Sequence, residues 1–318
     1  MKRILVIQTA FLGDVILATP VVSELHRLYP DAAIDVLVKK GNESLLANHP
    51  KIRSVIAFDK TNGKYKSIWK LIRQFRKEKY DLLVNLHRFG SSGIITAFSG
   101  AKDRRGFDKN PFAFRFTKKF PHKIGNGTHE VERNLSLIQD LGAAEIARPE
   151  LFPSNADFDV VKAYQSDTYI CIAPASVWFT KQLPESKWVE LLRKNATKKV
   201  YVLGGPNDRE LGDRILAQGP DMAAVNLSGK LSLLQSAALM KGALRNYVND
   251  SGPLHLASSM NAPVTAFFCS TVPEFGFGPL SKDAEIQQVQ NLECRPCGLH
   301  GHKECPKGHF KCGMEIEI

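Results

Sequence analysis

The sequence predicts an α/β protein made of two doubly wound domains, each a parallel sheet with helices on both faces. Apolar runs typical of buried strands alternate with amphipathic helical stretches along the whole chain. The length of 318 residues suits two domains of roughly 150 residues each better than one core. The segment 147–159, ARPELFPSNADFD, places prolines among polar residues and suits a linker. We therefore expect one domain over residues 1–155 and another over residues 156–318.

The predicted elements follow the same alternation in both halves. In the first half, strands are predicted at 3–8, 34–38, 54–58 and 81–86, and helices at 14–29, 42–48 and 65–78. In the second half, strands are predicted at 169–173, 199–205, 223–227, 246–250 and 263–268, and helices at 184–195, 208–217, 231–241 and 252–260. Ligands of doubly wound sheets bind at the carboxyl ends of the strands. If the two domains face each other, the cleft between them is the expected site.

The net charge of +11 is distributed unevenly along the chain. Residues 1–150 contain 26 basic and 15 acidic residues, whereas residues 151–318 contain 17 of each. A one-sided basic field favours an anionic macromolecular partner, either a nucleic acid or an anionic membrane surface. The alternative is that the charge serves solubility alone.

Several classes of protein are excluded by what the sequence contains. No apolar run approaches the roughly 20 residues that a membrane-spanning helix needs. The N-terminal segment MKRILVIQTAFLGD resembles a signal peptide, but Gln8 and Asp14 interrupt it and no small-residue cleavage site follows. We therefore expect a cytoplasmic protein. The G-x-G-x-x-G pattern is absent from the first strand–helix turn, which argues against a nicotinamide-dependent dehydrogenase.

A carboxylate follows the first predicted strand in the segment QTAFLGDVILATP. Gly13 permits a tight turn there, and Asp14 stands at the start of the helix that follows. An aspartate at this place is either the N-cap of the helix or a catalytic group at the edge of the sheet. Pro20 either kinks this helix or marks a later start, with Thr19 as the N-cap.

The segment NDSGPLHLASS follows the predicted strand at 246–250. Asp250 or Ser251 caps the next helix, and Gly252 lets a ligand approach the backbone. Free N–H groups at a helix start bind phosphate, and His255 lies on the same side of the first turn. The alternative is a well-made cap with a packed imidazole, but the combination favours a phosphate site.

Two other loops follow strands of the second domain. APASVWFTKQLPESKW carries Ser176 and Lys181, which could donate to a diphosphate and neutralise it. GGPNDRE carries Asp208 and Glu210, which could accept hydrogen bonds from sugar hydroxyls. Taken alone, a surface lysine and an acidic helix start explain these residues equally simply.

Six cysteines fall into two groups. Cys171 and Cys269 lie in apolar strands and are expected in the core. The other four stand in the C-terminal segment 294–312 with the spacing C-x2-C-x7-C-x6-C, namely Cys294, Cys297, Cys305 and Cys312. This spacing is compatible with a zinc site but does not match a standard finger, so free thiols are the alternative.

The segment KYKSIWKLIRQFRKEKY, residues 64–80, predicts a basic amphipathic helix. Its apolar residues fall on one face and its lysines and arginines on the other. Such a helix is usually only solvated on its charged face, but it also suits a membrane surface. Further basic residues follow: Arg88, Arg104, Arg105, Lys109, Arg115, Lys118 and Lys119. Stacking motifs for single-stranded nucleic acid are not evident.

Four of these motifs, in this order, resemble glycosyltransferase family 9, the lipopolysaccharide heptosyltransferases. They are TAFLGDVILATPVVSELHRLYPDAAIDVLV, PASVWFTKQLPESKW, LGGPNDRE and NDSGPLHLASSMNAPVTAFF. The cysteine-rich ending is similar to that of heptosyltransferase II-like members. The resemblance implies the GT-B architecture, in which two Rossmann-like domains face each other across a central cleft.

The resemblance also implies an activity. The C-terminal domain would bind ADP-L-glycero-D-manno-heptose, and the N-terminal domain an anionic lipopolysaccharide precursor at the cytoplasmic face of the inner membrane. Transfer would invert the anomeric centre and require no metal or other cofactor. Nucleic acid would not be a partner, and the enzyme would associate with the membrane peripherally.

Site residues are carried over position by position. Asp14 matches the catalytic base of the family, and Thr9 a residue beside it. On the donor side, the matching residues are Ser176, Lys181, Glu210, Asp250, Ser251, Gly252 and His255. Ser251 replaces the threonine of many members and keeps the hydroxyl group. On the acceptor side we expect Arg88, Arg104 and Arg105.

Two other functions remain as alternatives. One is a family 9 transferase that uses another nucleotide sugar or acceptor. The other is a basic, zinc-carrying module that binds nucleic acid or membranes without catalysis. The set of Asp14, Lys181 and the NDSGP-H segment argues against the second, because a binding module has no need of it.

Overall fold

Two parallel sheets form the framework of the computed structural model, which describes residues 1–61, 63–144 and 147–318. The chain divides into two compact units, Met1–Phe152 and Pro153–Ile318. Each unit contains one six-stranded sheet. The α/β class and the parallel sheets predicted from the sequence are confirmed.

The first unit is a doubly wound sheet with a regular alternation of elements. Its strands are β1 Arg3–Gln8, β2 Ala33–Lys39, β3 Ser54–Phe58, β4 Leu82–Asn85, β5 Asp103–Phe107 and β6 Lys118–Phe120. Its helices are α1 Leu12–Leu17, α2 Thr19–Leu28, α3 Lys64–Glu78, α4 Gly90–Phe98 and α5 Glu130–Ser136. The strand order is β3-β2-β1-β4-β5-β6, and every neighbouring pair is parallel.

The second unit repeats this topology. Its strands are β7 Tyr169–Ala173, β8 Lys199–Val202, β9 Ala224–Asn226, β10 Arg245–Asn249, β11 Val264–Phe267 and β12 Ala284–Gln287. Its helices are α6 Asn155–Val161, α7 Glu185–Lys194, α8 Arg209–Gln218, α9 Leu233–Gly242, α10 Gly252–Ser259 and α11 Lys311–Met314. The strand order is β12-β11-β10-β7-β8-β9. Numbered within its own unit, each sheet therefore has the order 3-2-1-4-5-6, which reverses direction between its first and fourth strands.

The helix α3 places its apolar face in the core of the first unit. The buried residues of that face are Ile68, Leu71, Ile72 and Phe75, which pack against residues of β1, β2 and β4. This face is therefore occupied by the protein's own core and is not available to a membrane. Only the opposite, basic face of α3 remains exposed to a partner.

The core of the second unit includes the end of the cysteine-rich segment. Trp188 of α7 packs edge-on against Phe267 of β11, with ring centroids 5.4 Å apart. Cys312 and Ile316 join the same buried cluster. Cys171 and Cys269 are buried as expected, and burial raises the pKa of both thiols. Cys312 is therefore a core residue as well as a member of the C-terminal cysteine group.

The structure differs from the sequence-based expectation at several elements. Helix 14–29 is broken in two, with Thr19 as the first residue of α2 rather than its N-cap. The predicted helix 42–48 is a 3-10 turn over Glu43–Leu46. The end of the predicted linker forms α6, because Ser154 and Asp157 make a capping box at its start. Residues 145 and 146, at the approach to that linker, lie outside the described part of the chain.

Within residues 1–61, 63–144 and 147–318, none of the helices combines the length and the apolar character that crossing a bilayer requires.

Candidate functional site

Asp14 lies at the carboxyl edge of the first sheet, directly after β1. Helix α1 begins at Leu12 with Phe11 as its N-cap, so Asp14 is the third residue of the helix. Its Oδ2 accepts a hydrogen bond from the Phe11 backbone N–H at 3.2 Å, as the acidic member of a capping box does. Asp14 therefore makes a capping hydrogen bond, as the capping interpretation predicts, but it is the third residue of the helix and not its N-cap. This bond fixes the carboxylate at the place where the topology puts a ligand.

A histidine that the sequence analysis missed lies beside this edge. His87 follows β4, the strand next to β1, and its Nδ1 is 3.0 Å from the Thr9 Oγ1. The Lys60 ammonium donates to the Thr9 carbonyl oxygen at 2.7 Å. Burial lowers the pKa of His87 to about 4, and the charges of Lys60 and Arg88 add to the effect. The imidazole is therefore neutral at physiological pH.

A second carboxylate, Glu130, shares the electrostatic environment of Asp14. Glu130 begins α5, is buried, and accepts hydrogen bonds from the Arg133 guanidinium at 2.8 and 2.9 Å. Burial raises the pKa of Glu130 to about 7; the Arg133 charge opposes this shift, and the Asp14 carboxylate adds to it. A buried carboxyl group with a pKa near neutral pH, within the electrostatic range of a candidate base, makes this edge a candidate functional site.

Arg88 follows His87 and remains at the same edge of the sheet. Its guanidinium lies over the Phe89 ring, 5.4 Å from the ring centre, and its charge acts on the pKa of both His87 and Glu130. A cation in this position suits an anionic acceptor. The expectation for Arg88 therefore stays a prediction that the geometry favours.

Arg104 and Arg105 lie at a different level of the sheet. Through β4, the parallel register places Arg104 level with Leu5 of β1 and Arg105 level with Val6. Thr9 is three to four residues further along β1, which corresponds to about 10 to 13 Å. The side chains of Arg104 and Arg105 therefore leave the sheet well before the edge at which Asp14 lies.

Both guanidinium groups also have partners inside the unit. Arg105 is buried and forms ion pairs with Asp103, at 2.8 Å, and with Asp140. Arg104 donates to the backbone carbonyl oxygens of Ala101 and Arg115. These contacts tie both arginines to the internal structure of the sheet, and the expectation that they line the acceptor side stays a prediction.

The second unit brings together two site residues that the sequence placed in separate loops. Lys181 ends a 3-10 turn after β7, and Asp250 follows β10, the neighbouring strand. The Lys181 Nζ is 2.6 Å from the Asp250 Oδ2, and the Thr271 hydroxyl donates to the same oxygen at 2.6 Å. Asp250 is almost fully buried, so the ion pair holds the lysine ammonium at the switch point of this sheet.

The helix α10 starts beside this ion pair. Ser251 is its N-cap in an extended conformation, and Gly252 and Pro253 are its first two residues. Among the described residues, the Ser251 side chain makes no capping hydrogen bond to the helix. Ser251, not Asp250, is therefore the N-cap, and the first N–H groups of α10 point to where an anion would bind. His255 is buried one turn further on.

Two further residues, Ser176 and Glu210, were predicted to bind the donor. Ser176 lies in the loop between β7 and Lys181, and its carbonyl oxygen accepts a hydrogen bond from the Gln182 side chain at 2.7 Å. Glu210 is the second residue of α8, with a side chain 87% exposed and an ion pair to Arg214 at 3.1 Å. In the part of the chain that the structure describes, no hydrogen bond or ion pair connects Glu210 to Lys181 or Asp250. The ion pair with Arg214 on the helix surface is enough to explain an acid at this position.

The cysteine-rich segment shows no metal-binding geometry. Across residues 1–61, 63–144 and 147–318, no group of three or more His, Cys, Asp or Glu side chains is arranged to hold a metal ion. The Cys297 thiol instead donates to the Cys294 carbonyl oxygen at 3.0 Å, and Cys312 is part of the core. These contacts agree with free thiols, and they do not support a zinc site.

Comparisons with known proteins identify the family. The family model described as "Glycosyltransferase family 9 (heptosyltransferase)" matches residues 68–309. The chain belongs to glycosyltransferase family 9. This match covers Lys181, the start of α10 and most of the cysteine-rich segment, and the enzyme is a glycosyltransferase of the lipopolysaccharide heptosyltransferase family.

Curated relatives and a solved structure agree with this assignment. The chain is 28% identical to lipopolysaccharide heptosyltransferase 1 of Pseudomonas aeruginosa, over 93% of this chain and 86% of that protein. It is also 28% identical to an Escherichia coli lipopolysaccharide heptosyltransferase 3, over 82% of each. The solved structure of E. coli ADP-heptose lps heptosyltransferase II has a TM-score of 0.80 and 25% identity, covering 92% of both chains. The GT-B fold class is thereby confirmed.

Proposed function

We propose that this glycosyltransferase moves L-glycero-D-manno-heptose from ADP-heptose to the lipid A–Kdo–heptose acceptor of the lipopolysaccharide inner core. The observation that carries the proposal is the position of the chemistry. A carboxylate, Asp14, stands at the switch point of one sheet, and a lysine beside a helix start stands at the switch point of the other. A sugar transfer from a nucleotide diphosphate needs a base for the acceptor and a cation for the leaving group.

The second unit supplies what the leaving group needs. As the bond between the anomeric carbon and the diphosphate oxygen breaks, negative charge grows on the departing ADP. The Lys181 ammonium has three N–H donors, and the ion pair with Asp250 fixes its place at the start of α10. The ammonium and the first N–H groups of α10 would together stabilise that charge.

The first unit supplies the base. The acceptor hydroxyl oxygen would attack the anomeric carbon from the side opposite the diphosphate, and its proton would pass to the Asp14 carboxylate. A single displacement of this kind forms one C–O bond as the other breaks, and it inverts the anomeric centre. Thr9 and the neutral His87 lie beside this position and are suited to hydrogen-bond acceptor hydroxyl groups.

The basic outer face of α3 supports peripheral association with the inner membrane at its cytoplasmic side. Tyr65 and Trp69 are 71% and 60% exposed on this helix and lie one turn apart. The exposed basic residues around them are Lys64, Lys66, Lys70, Arg73, Arg76 and Lys77. Aromatic rings at the headgroup level with lysines and arginines around them match an anionic bilayer surface.

Transfer assays on acceptors of defined length test the proposed reaction. The purified protein is incubated with ADP-heptose and with lipopolysaccharide acceptors that lack all, one or two core heptoses. We expect one acceptor to be extended, and NMR of the product to show inversion. Transfer from another nucleotide sugar in place of ADP-heptose would support the alternative of a different family 9 specificity.

Vesicle sedimentation tests the membrane contact separately. We expect binding to vesicles with about 30% anionic lipid and little binding to neutral ones, and a loss of roughly tenfold in the Tyr65→Ser, Trp69→Ser double variant. The matched control is Phe114→Ser, which removes another exposed aromatic side chain of the same unit. Equal binding of all three proteins would exclude this face of α3, and binding to single-stranded RNA instead would favour the nucleic-acid alternative.

A further inference from the structure

The cysteine-rich segment contacts the loop that carries Lys181. The Thr180 backbone N–H donates to the His302 carbonyl oxygen at 3.1 Å. In return, the His302 backbone N–H donates to the Thr180 Oγ1 at 2.7 Å, a contact between residues 122 positions apart in the sequence. The residue before Lys181 is thus bonded to the segment through both backbone and side chain.

The contact leaves little room for a side chain at residue 301. Gly301 has a φ of +78°, and a Cβ atom there would lie 3.0 Å from the Lys181 Cγ and 3.0 Å from the Thr180 Oγ1. A third atom, the Ser270 Oγ, would be 3.2 Å away. The backbone at Gly301 therefore packs directly on the aliphatic part of the Lys181 side chain. A side chain at residue 301 would disturb this packing.

A third segment ties the two together. The Ser270 hydroxyl donates to the Thr180 Oγ1 at 3.0 Å, and the Ser270 backbone N–H donates to the Thr180 carbonyl oxygen at 3.2 Å. The Ser270 carbonyl oxygen accepts from the Cys297 N–H at 2.9 Å. Since Thr271, the next residue, bonds the Asp250 carboxylate, both partners of the Lys181–Asp250 ion pair are held through this junction.

We propose that the turn Gly298–His302 is a positioning element of the donor site, which holds the stem of Lys181 so that its ammonium stays on Asp250. The ligand concerned is a nucleoside diphosphate, and in this respect the inference rests on the proposed function. A free lysine side chain loses considerable rotamer freedom when a ligand fixes it. A lysine that is already held makes the site bind more tightly, because this loss precedes binding.

Two glycines of the same segment provide a matched pair of variants. Gly301→Val would place a branched side chain against Lys181 and Thr180. Gly308→Val is the control. Gly308 has a φ of +73°, so a valine there would meet nearly the same backbone strain, but no atom lies within 4 Å of an added Cβ. Any effect that comes from strain alone will appear in both variants, whereas an effect on Lys181 will appear only in the first.

The position of Lys181 is measured first, without any ligand. Competitive acetylation of the whole protein, read by mass spectrometry, gives the reactivity of Lys181 relative to that of Lys187. We expect Gly301→Val to raise this ratio about fivefold, as the ammonium leaves the ion pair, and Gly308→Val to leave it unchanged. An unchanged ratio in a folded Gly301→Val protein would overturn the inference.

Calorimetry with ADP then measures the consequence for the site. We expect Gly301→Val to weaken ADP binding about tenfold in the wild-type background and less than twofold in a Lys181→Ala background. An equal loss in both backgrounds would show that the turn does not act through Lys181. If the wild-type protein binds no ADP, the proposed donor is wrong, while the acetylation ratio still decides whether the turn positions the lysine.

A second pair of variants covers the case in which Gly301→Val does not fold. Thr180→Val removes the hydroxyl that bonds the His302 N–H and keeps the shape of the side chain, and Thr180→Ser retains that hydroxyl. We expect the valine variant to reproduce the rise in Lys181 reactivity and the serine variant to restore the wild-type ratio. Identical ratios in the two variants would contradict the positioning role.

Discussion

The two units have the same strand order but present opposite chemistry at the same place in the sheet. Next to the reversal of strand order, the first unit places the carboxylate of Asp14 after β1 and the neutral imidazole of His87 after β4. The second unit places the ammonium of Lys181 after β7 and the carboxylate of Asp250 after β10. The topology thus fixes where a ligand binds, and the side chains decide which chemistry that place carries.

The comparison also explains the uneven charge of the chain. The first half has all of the net positive charge, yet its candidate catalytic group is an acid with a second acid, Glu130, in its electrostatic range. The second half is neutral overall, and the Lys181 ammonium at its candidate site is already paired with Asp250. A basic surface that attracts an anionic acceptor and an acidic group that takes a proton are therefore separate features of the first unit.

The largest effect is expected from removing the base of the first unit. Asp14→Asn should lower kcat by about a thousandfold, since a positioned general base contributes roughly 10²- to 10⁴-fold. ADP affinity should stay within about twofold, because the nucleotide is assigned to the other unit. Steady-state transfer rates and calorimetry measure the two quantities.

The control for this variant is Asp157→Asn in the second unit. Asp157 makes the same kind of capping bond at the start of α6, where its Oδ2 accepts from the Ser154 backbone N–H at 2.8 Å. Both variants keep a side-chain oxygen that can accept this bond but lose the negative charge at the helix start, which typically contributes about 0.3–1 kcal/mol to stability. If Asp157→Asn loses as much activity as Asp14→Asn, the effect is one of stability and the assignment of the base fails.

The next effect concerns the cation of the second unit. Lys181→Ala should weaken ADP binding about 10- to 100-fold, because hydrogen bonds to charged groups contribute about 1.5–3 kcal/mol each. Lys187→Ala is the control, since Lys187 is similarly shielded from solvent but pairs with Glu190 on the face of α7. Calorimetry that finds equal affinities for the two variants would remove Lys181 from the donor site.

A third prediction uses the pH dependence of the first unit. In the folded protein the pKa of Glu130 is raised to about 7, from 4.5. Protonated Glu130 therefore contributes to the stability of the folded state, fully below about pH 4.5, and this contribution is lost as the pH rises through 7. The stability of the wild type relative to Glu130→Gln should therefore fall by on the order of 2–3 kcal/mol between pH 5 and pH 8. Urea unfolding at a series of pH values measures the difference.

The Asp14→Asn background tests whether the two acids interact. Since the Asp14 charge contributes to the raised pKa of Glu130, removing that charge should shift the midpoint of the fall to lower pH. The other groups that face Glu130 are Arg133 and Arg88, and both favour its charged form. A midpoint that does not move in this background would mean that the Asp14 charge does not contribute to the raised pKa of Glu130.

Much of the fold could be predicted because apolar periodicity marks most of its strands. Strand β1 has an uninterrupted apolar run over residues 4–7 and was placed correctly at residues 3–8. Strand β5, DRRGF, was missed, because its arginines belong to a sheet only once Asp103 and Asp140 neutralise Arg105. Strand β12 lies at the edge of its sheet and is mostly exposed. It therefore lacks the run of apolar residues that marks a buried strand.

The candidate site was predictable where its residues directly follow apolar strands. Asp14, Lys181 and Asp250 were singled out after apolar strands and given roles by the family resemblance, and these roles stay predictions. His87 could have been singled out as well, since it follows β4. Glu130 could not, because nothing in the helix EVERNLS distinguishes it from an ordinary acid near a helix start. Its proximity to Asp14 arises only from the packing of α5 in the folded unit.

The smallest effect tests how finely the ion pair of the second unit is tuned. Thr271→Val removes the hydroxyl that donates to Asp250 and keeps the volume of the side chain. One hydrogen bond to a carboxylate that keeps its lysine partner should change ADP affinity only about two- to fivefold. Thr265→Val is the control, because this buried threonine of β11 bonds Glu285 at 3.2 Å, outside the candidate site. Both variants should lose similar stability in thermal unfolding, and only Thr271→Val should lose affinity in calorimetry. A loss of affinity in Thr265→Val as large as that in Thr271→Val would mean that the packing of β11, and not the hydrogen bond to Asp250, sets the strength of the site.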